Sequence, residues 1–147
     1  MRLVVQRVSE ASVTIDHEIH AQIGNGFLIY VGITDSDTAV EVEKLVHKIS
    51  GLRIFEDSEG KMNLNIDAIE GEMLVVSQFT LYADMKRGNR PSFIKAAHPD
   101  HAIPLYEMFV ELLAAKHPVQ AGVFGANMQI HSINSGPVTI IFDTEDL

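Results

Sequence analysis

The N-terminal segment is the feature that most constrains the fold of this chain. Residues 2–15 alternate in polarity and are rich in valine, a pattern that predicts a long β-strand. Asp16-His17 then predicts a turn into a second strand near 18–23. Gly24-Asn25-Gly26 predicts a tight turn into a third strand at 27–33. The chain therefore opens with three strands in succession.

Two helices are predicted further along the chain. The first follows candidate N-caps at 34–36 and ends near Gly51. One side of this helix is marked by four apolar residues: Val40, Leu45, Val46 and Ile49. The second helix spans roughly 100–116, and proline at position 104 is tolerable there only in the first turn.

The remaining strands are predicted from shorter apolar runs. Segments 52–55 and 61–63 flank an acidic turn, and 72–82 has the pattern of a long strand whose centre is buried on both faces. Two final strands, at about 127–133 and 138–143, meet at a Gly-Pro corner.

Together these elements predict an α/β fold that forms a single domain over residues 1–147. We expect a curved or barrel-like, mostly antiparallel sheet with two main helices packed on one side. The chain is 46% hydrophobic, which supplies enough apolar side chains for a substantial core.

Composition also excludes several classes of protein. No apolar run approaches the roughly 20 residues that a membrane-spanning helix needs, and the N-terminus lacks the features of a signal peptide. The absence of cysteine excludes disulfides, thiolate catalysis and thiolate metal ligands. We therefore expect a cytosolic protein without a membrane partner.

Basic residues are unevenly distributed in a chain whose net charge is −9. Because Lys and Arg make most phosphate contacts, this charge argues against an extended nucleic-acid-binding surface. Yet four of the eleven basic residues fall within positions 84–95: Lys86, Arg87, Arg90 and Lys95. The cluster is either a solvated loop or a small phosphate-binding patch that would suit the end of an RNA.

Common catalytic and metal-binding motifs are missing. The sequence has no Gly-rich phosphate loop, no Gly-x-Ser-x-Gly motif and no His-Glu-x-x-His helix. Two histidine pairs are spaced three residues apart, His17 with His20 and His98 with His101, but neither spacing requires a ligand cage. We expect no metal and no cofactor.

Polar residues interrupt the predicted strand at 72–82. An ordinary strand is one interpretation, but Ser77 and Gln78 would need hydrogen-bond partners if buried. A period of two would place Ser77 and Phe79 on one face, with Gln78 and Thr80 on the other. Thr80 could be a nucleophile, although no base lies in the segment. An oxyanion hole of peptide N–H groups near Gln78 and Phe79, with Ser77 and Thr80 orienting the substrate, is the favoured hypothesis.

Asn134-Ser135-Gly136-Pro137 has the composition of an ordinary turn, and a structural role is one interpretation. The alternative requires rigidity. Fixed carbonyls beside a substrate's Cα could exclude an L side chain by clash, while accepting hydrogen or the opposite configuration. The bond before Pro137 can be trans or cis.

Six blocks of this sequence, in order and spacing, resemble the bacterial D-aminoacyl-tRNA deacylase family. They are 1–8 with 11–13, 52–57 with 61–63, 77–82, 90–93, 124–128 and 134–139. One position departs from the family: Ser135 stands where an acidic residue is frequent, and serine also initiates turns.

The resemblance implies a deacylase-like fold and a homodimer that hydrolyses the ester of D-aminoacyl-tRNA, and of glycyl-tRNA, without metal or cofactor. It implies that the RNA's own 2′-hydroxyl assists, in a pocket lined by Ser77-Gln78-Phe79-Thr80. Gly136 and Pro137, joined by a cis bond, would enter the partner subunit's site and reject L-aminoacyl groups, with Arg7 holding this corner in place.

The resemblance further implies that residues 124–128, including Gly125, Ala126 and Met128, form the pocket wall near the terminal adenosine. Lys86, Arg87 and Arg90 are candidate contacts to the tRNA. Two alternatives are a non-catalytic dimeric module that binds a small ligand or an RNA end, and a general esterase. The latter lacks a visible nucleophile–base pair.

Overall fold

Eight strands and two α-helices make up the fold in the computed structural model, which describes residues 1–147. The helices are α1, Ala39–Ser50, and α2, Pro99–Ala114. The strands are β1 Arg2–Ile15, β2 Glu18–Ile23, β3 Gly26–Gly32, β4 Phe55–Glu56, β5 Met62–Leu64, β6 Glu72–Ser77, β7 Val119–Ala121 and β8 Gln129–Asp143. Neither helix combines the length and the apolar composition of a membrane-crossing segment.

Strand β1 organises the main sheet, whose order is β2-β1-β3-β6-β7 with β8 also paired to β1. β1 is antiparallel to β2, β3 and β8, whereas β3, β6 and β7 are mutually parallel neighbours. The parallel strands follow from crossovers through α1 and α2. The predicted class is confirmed: an α/β domain with a nearly closed, barrel-like sheet and two helices.

The predicted tight turn at Gly24-Asn25-Gly26 is wrong. β2 and β3 run in the same direction along one edge of β1 and keep one register, with Ala11 opposite Ile23 and Val8 opposite Gly26. The chain bends here without reversing. A Cβ on Gly26 would lie 1.8 Å from the carbonyl oxygen of Glu72, so glycine is needed because β6 approaches closely.

Helix α1 begins later than its sequence predicts. Its N-cap is Thr38, which forms a capping box with Glu41. The buried face consists of Val42, Leu45, Val46 and Ile49, which are spaced as one side of a helix. Val40, which was predicted on that side, is exposed. Asp37 is buried and accepts hydrogen bonds from the amino group of Met1 and from the N–H of Thr34.

Pro104 lies in the second turn of α2, so the prediction that proline is tolerable only in the first turn of this helix is wrong. The helix starts at Pro99, where a missing N–H costs nothing. Pro104 is on the exposed side, so water can hydrate the carbonyl that loses its helical partner.

The main core fills the space between the sheet and the helices. It combines buried side chains of β1, β3 and β6, such as Leu3, Phe27 and Val75, with Leu45 of α1 and Phe109 of α2. A smaller apolar cluster occupies the other side of the sheet. Both helices therefore pack against one face, which leaves the ends of the parallel strands accessible.

Candidate active site

The carboxyl ends of three parallel strands meet at one edge of the sheet. Val31 of β3 pairs with Ser77 of β6, and Val75 pairs with Ala121 of β7. In open parallel sheets this edge is where ligands bind. A cleft of about 290 Å³ lies there, and ten of its fourteen lining residues are hydrophobic.

The cleft brings together most residues that the sequence assigned to the pocket. Its lining includes Ser77, Gln78, Phe79, Gly125, Ala126 and Met128. The lining does not include Thr80, Arg7, Gly136 or Pro137, nor the basic residues Lys86, Arg87 and Arg90. Within the single chain, the Gly-Pro corner therefore does not line the pocket.

The predicted strand at 72–82 ends at Ser77, so the predicted alternation of faces beyond it is wrong. Phe79–Tyr82 forms a 3-10 turn. The turn packs directly on β3, where a Cβ on Gly32 would lie 2.9 Å from the Cβ of Leu81. This tertiary contact decides the local structure against the strand propensity of Phe, Thr and Tyr.

Two peptide N–H groups are left unpaired where the strand becomes the turn. The N–H of Gln78 donates to the carbonyl oxygen of Val31 at 2.7 Å, so it is not available to a substrate. The N–H groups of Phe79 and Thr80 have no acceptor within the protein. The free N–H groups thus lie one residue further along than the pair that the sequence predicted as oxyanion donors. The Ser77 hydroxyl also makes no hydrogen bond within the protein.

The Thr80 side chain has no base beside it. Its exposed hydroxyl accepts a hydrogen bond from the side-chain amide of Gln78. No histidine, lysine or carboxylate bonds to it. The geometry therefore does not activate Thr80 as a nucleophile.

A Ser-His-Asp arrangement that was not predicted from the sequence lies elsewhere in the fold. Buried His117 contacts Asp67 Oδ1 through Nδ1 at 2.8 Å and Ser50 Oγ through Nε2 at 3.0 Å. None of the three residues lines the cleft. Since Ser50 ends α1 and His117 follows α2, the contacts tie the two helix ends together.

Arg2 anchors the 3-10 turn from β1. Its Nη1 donates to the carbonyl oxygen of Leu81 at 3.2 Å, and its guanidinium lies 4.6 Å from the ring centre of Tyr82. Its Nε donates to Asp143 Oδ2 at 2.6 Å. Burial raises the pKa of Asp143, but the Arg2 hydrogen bond and the Glu145 N–H outweigh it and hold that pKa below the ordinary value.

Asp143→Asn is expected to lower the free energy of unfolding at pH 7 by about 1 kcal/mol. Because the folded pKa lies below 3.8, the carboxylate stabilises the protein above that pH. Its contribution is lost as the pH falls through the folded pKa. The free energies of unfolding of the variant and the wild type, measured with urea, should differ less and less as the pH is lowered from neutral to acid. Asp146→Asn, which removes an unpaired carboxylate, is the control; a pH-independent difference would contradict the role of Asp143.

Tyr106 positions the wall of the cleft at 124–128. From α2, its buried hydroxyl bonds to the carbonyl oxygens of Val75, at 3.1 Å, and Gly122, at 3.3 Å. Its ring packs edge-on against Phe124, with ring centres 5.9 Å apart. Tyr106 was not predicted from the sequence as a residue of the site. A buried tyrosine hydroxyl that needs a partner would have been the signal.

The Gly-Pro corner lies within a single strand, β8, and the prediction of two strands is wrong. Residues 129–134 and 139–143 both pair with β1, but the register shifts between them. The peptide bond between Gly136 and Pro137 is cis, and Gly136 has φ +125°. Both residues are exposed. The corner is thus a bulge that leaves the sheet without ending the strand.

Arg7 contacts the corner from β1. Its Nε donates to the carbonyl oxygen of Ser135 at 3.0 Å, and its Nη1 to that of Ile54 at 2.8 Å. Nη2 lies 3.9 Å from Glu56 Oε1. The side chain is buried, which is rare for arginine unless its donors are satisfied.

The basic residues Lys86, Arg87 and Arg90 line one groove together with Asp84, Ser92 and Ile94. The loop that carries them is closed at its base by two backbone hydrogen bonds between Asp84 and Ser92. Asp84 also accepts from the N–H of Lys86, which lowers the pKa of its carboxyl group. The three cations themselves form no ion pair within the protein.

Known proteins match this chain over almost its full length. Residues 4–143 match the family model of D-Tyr-tRNA(Tyr) deacylase. The D-aminoacyl-tRNA deacylases of two Porphyromonas gingivalis strains are each 57% identical to it, covering 99% of either chain.

Two solved structures share the fold. The c-Myc DNA Unwinding Element Binding Protein superposes with a TM-score of 0.92 at 41% identity, over 98% of this chain and 99% of that one. A probable eukaryotic D-amino acid tRNA deacylase superposes with a TM-score of 0.78 at 19% identity, over 96% of this chain and 97% of that one. From the family match and the 57% identity, we conclude that this chain belongs to the D-aminoacyl-tRNA deacylase family.

Proposed function

We propose that this protein hydrolyses the ester bond between a D-amino acid and the 3′ end of tRNA, releasing free amino acid and tRNA. It spares L-aminoacyl-tRNA and so proofreads chirality during translation. The observation that carries the proposal is the pair of unpaired N–H groups at Phe79 and Thr80, at the edge of an apolar cleft in a chain of this family.

Those two N–H groups would stabilise the oxyanion that forms when water attacks the ester carbonyl. One such donor is worth about 2.7–4 kcal/mol of transition-state stabilisation. The Ser77 hydroxyl, free of protein partners, would orient the substrate. Since no protein base is in reach of Thr80, the substrate's 2′-hydroxyl passes the proton from the attacking water to the leaving 3′-oxygen.

Chiral selection would come from a second subunit. Gly136 and Pro137 are exposed and lie outside the cleft of their own protomer. β8 pairs only with β1, and it exposes Ile133 by 50% and Ile141 by 73%. These features support a homodimer in which each corner enters the partner's cleft. An L side chain would clash with it, whereas a D residue or glycine would fit.

The test is hydrolysis of matched D-tyrosyl-, L-tyrosyl- and glycyl-tRNA, measured as loss of labelled amino acid in the presence of a chelator. We expect rapid loss of the D and glycyl esters while the L ester survives. If tRNA binds and no ester is hydrolysed, the protein is a non-catalytic binding module. Hydrolysis of simple esters that lack an RNA moiety would instead favour a general esterase.

The basic loop should bind tRNA phosphates. Replacing Lys86, Arg87 and Arg90 together with glutamine is expected to weaken tRNA binding and to reduce the slope of log Kd against log salt by up to about 2. In the control variant, three exposed residues outside the loop, Lys48, Lys61 and Lys116, are replaced with glutamine. This changes the net charge by the same amount as the loop variant. Equal slopes for the two triple variants would refute the assignment.

A further inference from the structure

Two phenylalanine rings stand exposed beside the cleft. Phe79 and Phe93 pack edge-to-face, with ring centres 5.0 Å apart and planes at 72°. Phe79 is 54% exposed and Phe93 is 36% exposed, and the neighbouring Ile94 is 90% exposed. Rings of this size are normally buried, so this pair offers apolar surface to something outside the protomer.

The pair lies between the cleft and the basic groove. Phe79 lines the cleft. Phe93 sits between Ser92 and Ile94, and both of these residues line the groove together with Lys86, Arg87 and Arg90. A strand of nucleic acid whose last nucleotide occupies the cleft and whose phosphates contact the cations would therefore pass close to these rings.

We propose that the Phe79–Phe93 pair is a stacking site for the nucleobase that precedes the terminal adenosine of the bound RNA. The inference rests on the proposed function. It adds a contact between the protein and a nucleobase to the phosphate contacts that were proposed for the basic loop. Exposed aromatic faces next to a positively charged groove are the usual means by which proteins hold single-stranded RNA. Because every base has a flat face, the site would accept any base at this position.

Phe93 is the residue to change, because Phe79 carries a proposed oxyanion donor. Phe93→Leu keeps an apolar side chain and removes the aromatic face, whereas Phe93→Tyr keeps the face. The probe is a short RNA that carries no amino acid and has the 3′ end of the tRNA acceptor strand. It is compared with the same RNA lacking the penultimate base. Affinity is measured by titration, and the oligomeric state of each variant by sedimentation.

We expect Phe93→Leu to raise the Kd of the intact RNA about tenfold, since removing a stacking aromatic weakens binding by roughly 5- to 150-fold. Phe93→Tyr should bind like the wild type. The RNA without its penultimate base should bind the wild type as weakly as the intact RNA binds Phe93→Leu, with no further loss when both changes are combined.

Additive losses from the two changes would overturn the stacking site, and so would an affinity loss that appears only because Phe93→Leu alters the oligomeric state. The latter would make the pair a contact between copies of the chain.

Hydrolysis of D-tyrosyl-tRNA tests the proposed function separately. If the protein hydrolyses this ester and Phe93→Leu leaves its RNA affinity unchanged, the proposed function stands and the stacking site is refuted. A protein that neither binds nor hydrolyses refutes both.

Discussion

Gly136→Ala is expected to lower the rate of D-tyrosyl-tRNA hydrolysis by about 100-fold, the typical effect of misplacing a positioning element by about 1 Å. Gly136 has φ +125°, a conformation that alanine adopts only with strain of about 1–3 kcal/mol. An added Cβ would also lie 2.8 Å from Arg7 Nη2 and 3.0 Å from Val138 Cγ2. Either the corner or the Arg7 guanidinium that contacts it must therefore shift, and glycyl-tRNA hydrolysis should fall as well.

Gly60→Ala is the matched control for this variant. Gly60 also has a positive φ, of +74°, but a Cβ added there would have no other atom within 4 Å. It lies in the turn between β4 and β5. Both variants should lose stability through backbone strain, whereas only Gly136→Ala should lose activity. A Gly136→Ala enzyme with full activity and unchanged D over L preference would show that the corner does not line the site.

Arg7→Met is expected to lower both stability and activity. The variant keeps an apolar stem but leaves the carbonyl oxygens of Ser135 and Ile54 without their donor. Hydrogen bonds to a charged group contribute about 1.5–3 kcal/mol each, so the free energy of unfolding should fall by about 3 kcal/mol. Arg7→Lys should rescue little, because one ammonium cannot reproduce two diverging guanidinium bonds.

Selectivity distinguishes positioning from simple structural support. If Arg7 holds the corner, Arg7→Met should also narrow the ratio of D- to L-tyrosyl-tRNA hydrolysis at a temperature where the protein stays folded. Glu56→Gln removes only the 3.9 Å contact to an exposed carboxylate, and its effect should stay under about 0.5 kcal/mol. A folded Arg7→Met protein with wild-type selectivity would limit Arg7 to a role in stability.

Regular elements with a strong local pattern were predictable. β1 at Arg2–Ile15 and β2 at Glu18–Ile23 match their predictions, because an alternation of polar and apolar residues indicates a half-buried strand. The body of α1 was also recognised. The start of α1 was not predicted, because three other candidate N-caps precede Thr38. The side chain of Asp37 instead accepts a hydrogen bond from the amino group of Met1, a tertiary contact that no local pattern indicates.

Elements whose conformation depends on distant neighbours were not predictable. Phe79–Tyr82 has the composition of a strand and becomes a 3-10 turn against Gly32. β7 is only three residues long, and its pairing with β6 is a long-range contact. Tyr106 acts on the cleft from a helix that no sequence motif links to it.

The sequence by itself determined the fold class, the family and the segments from which a site could be built, because alternation, capping and local motifs are short-range properties of the chain. Only the tertiary structure decided which of these segments meet. It put Phe79 and residues 124–128 around one cleft, left Gly136-Pro137 outside it, and freed the N–H groups of Phe79 and Thr80. Strand pairing and close packing between residues far apart in the chain make that choice, and no local pattern encodes them.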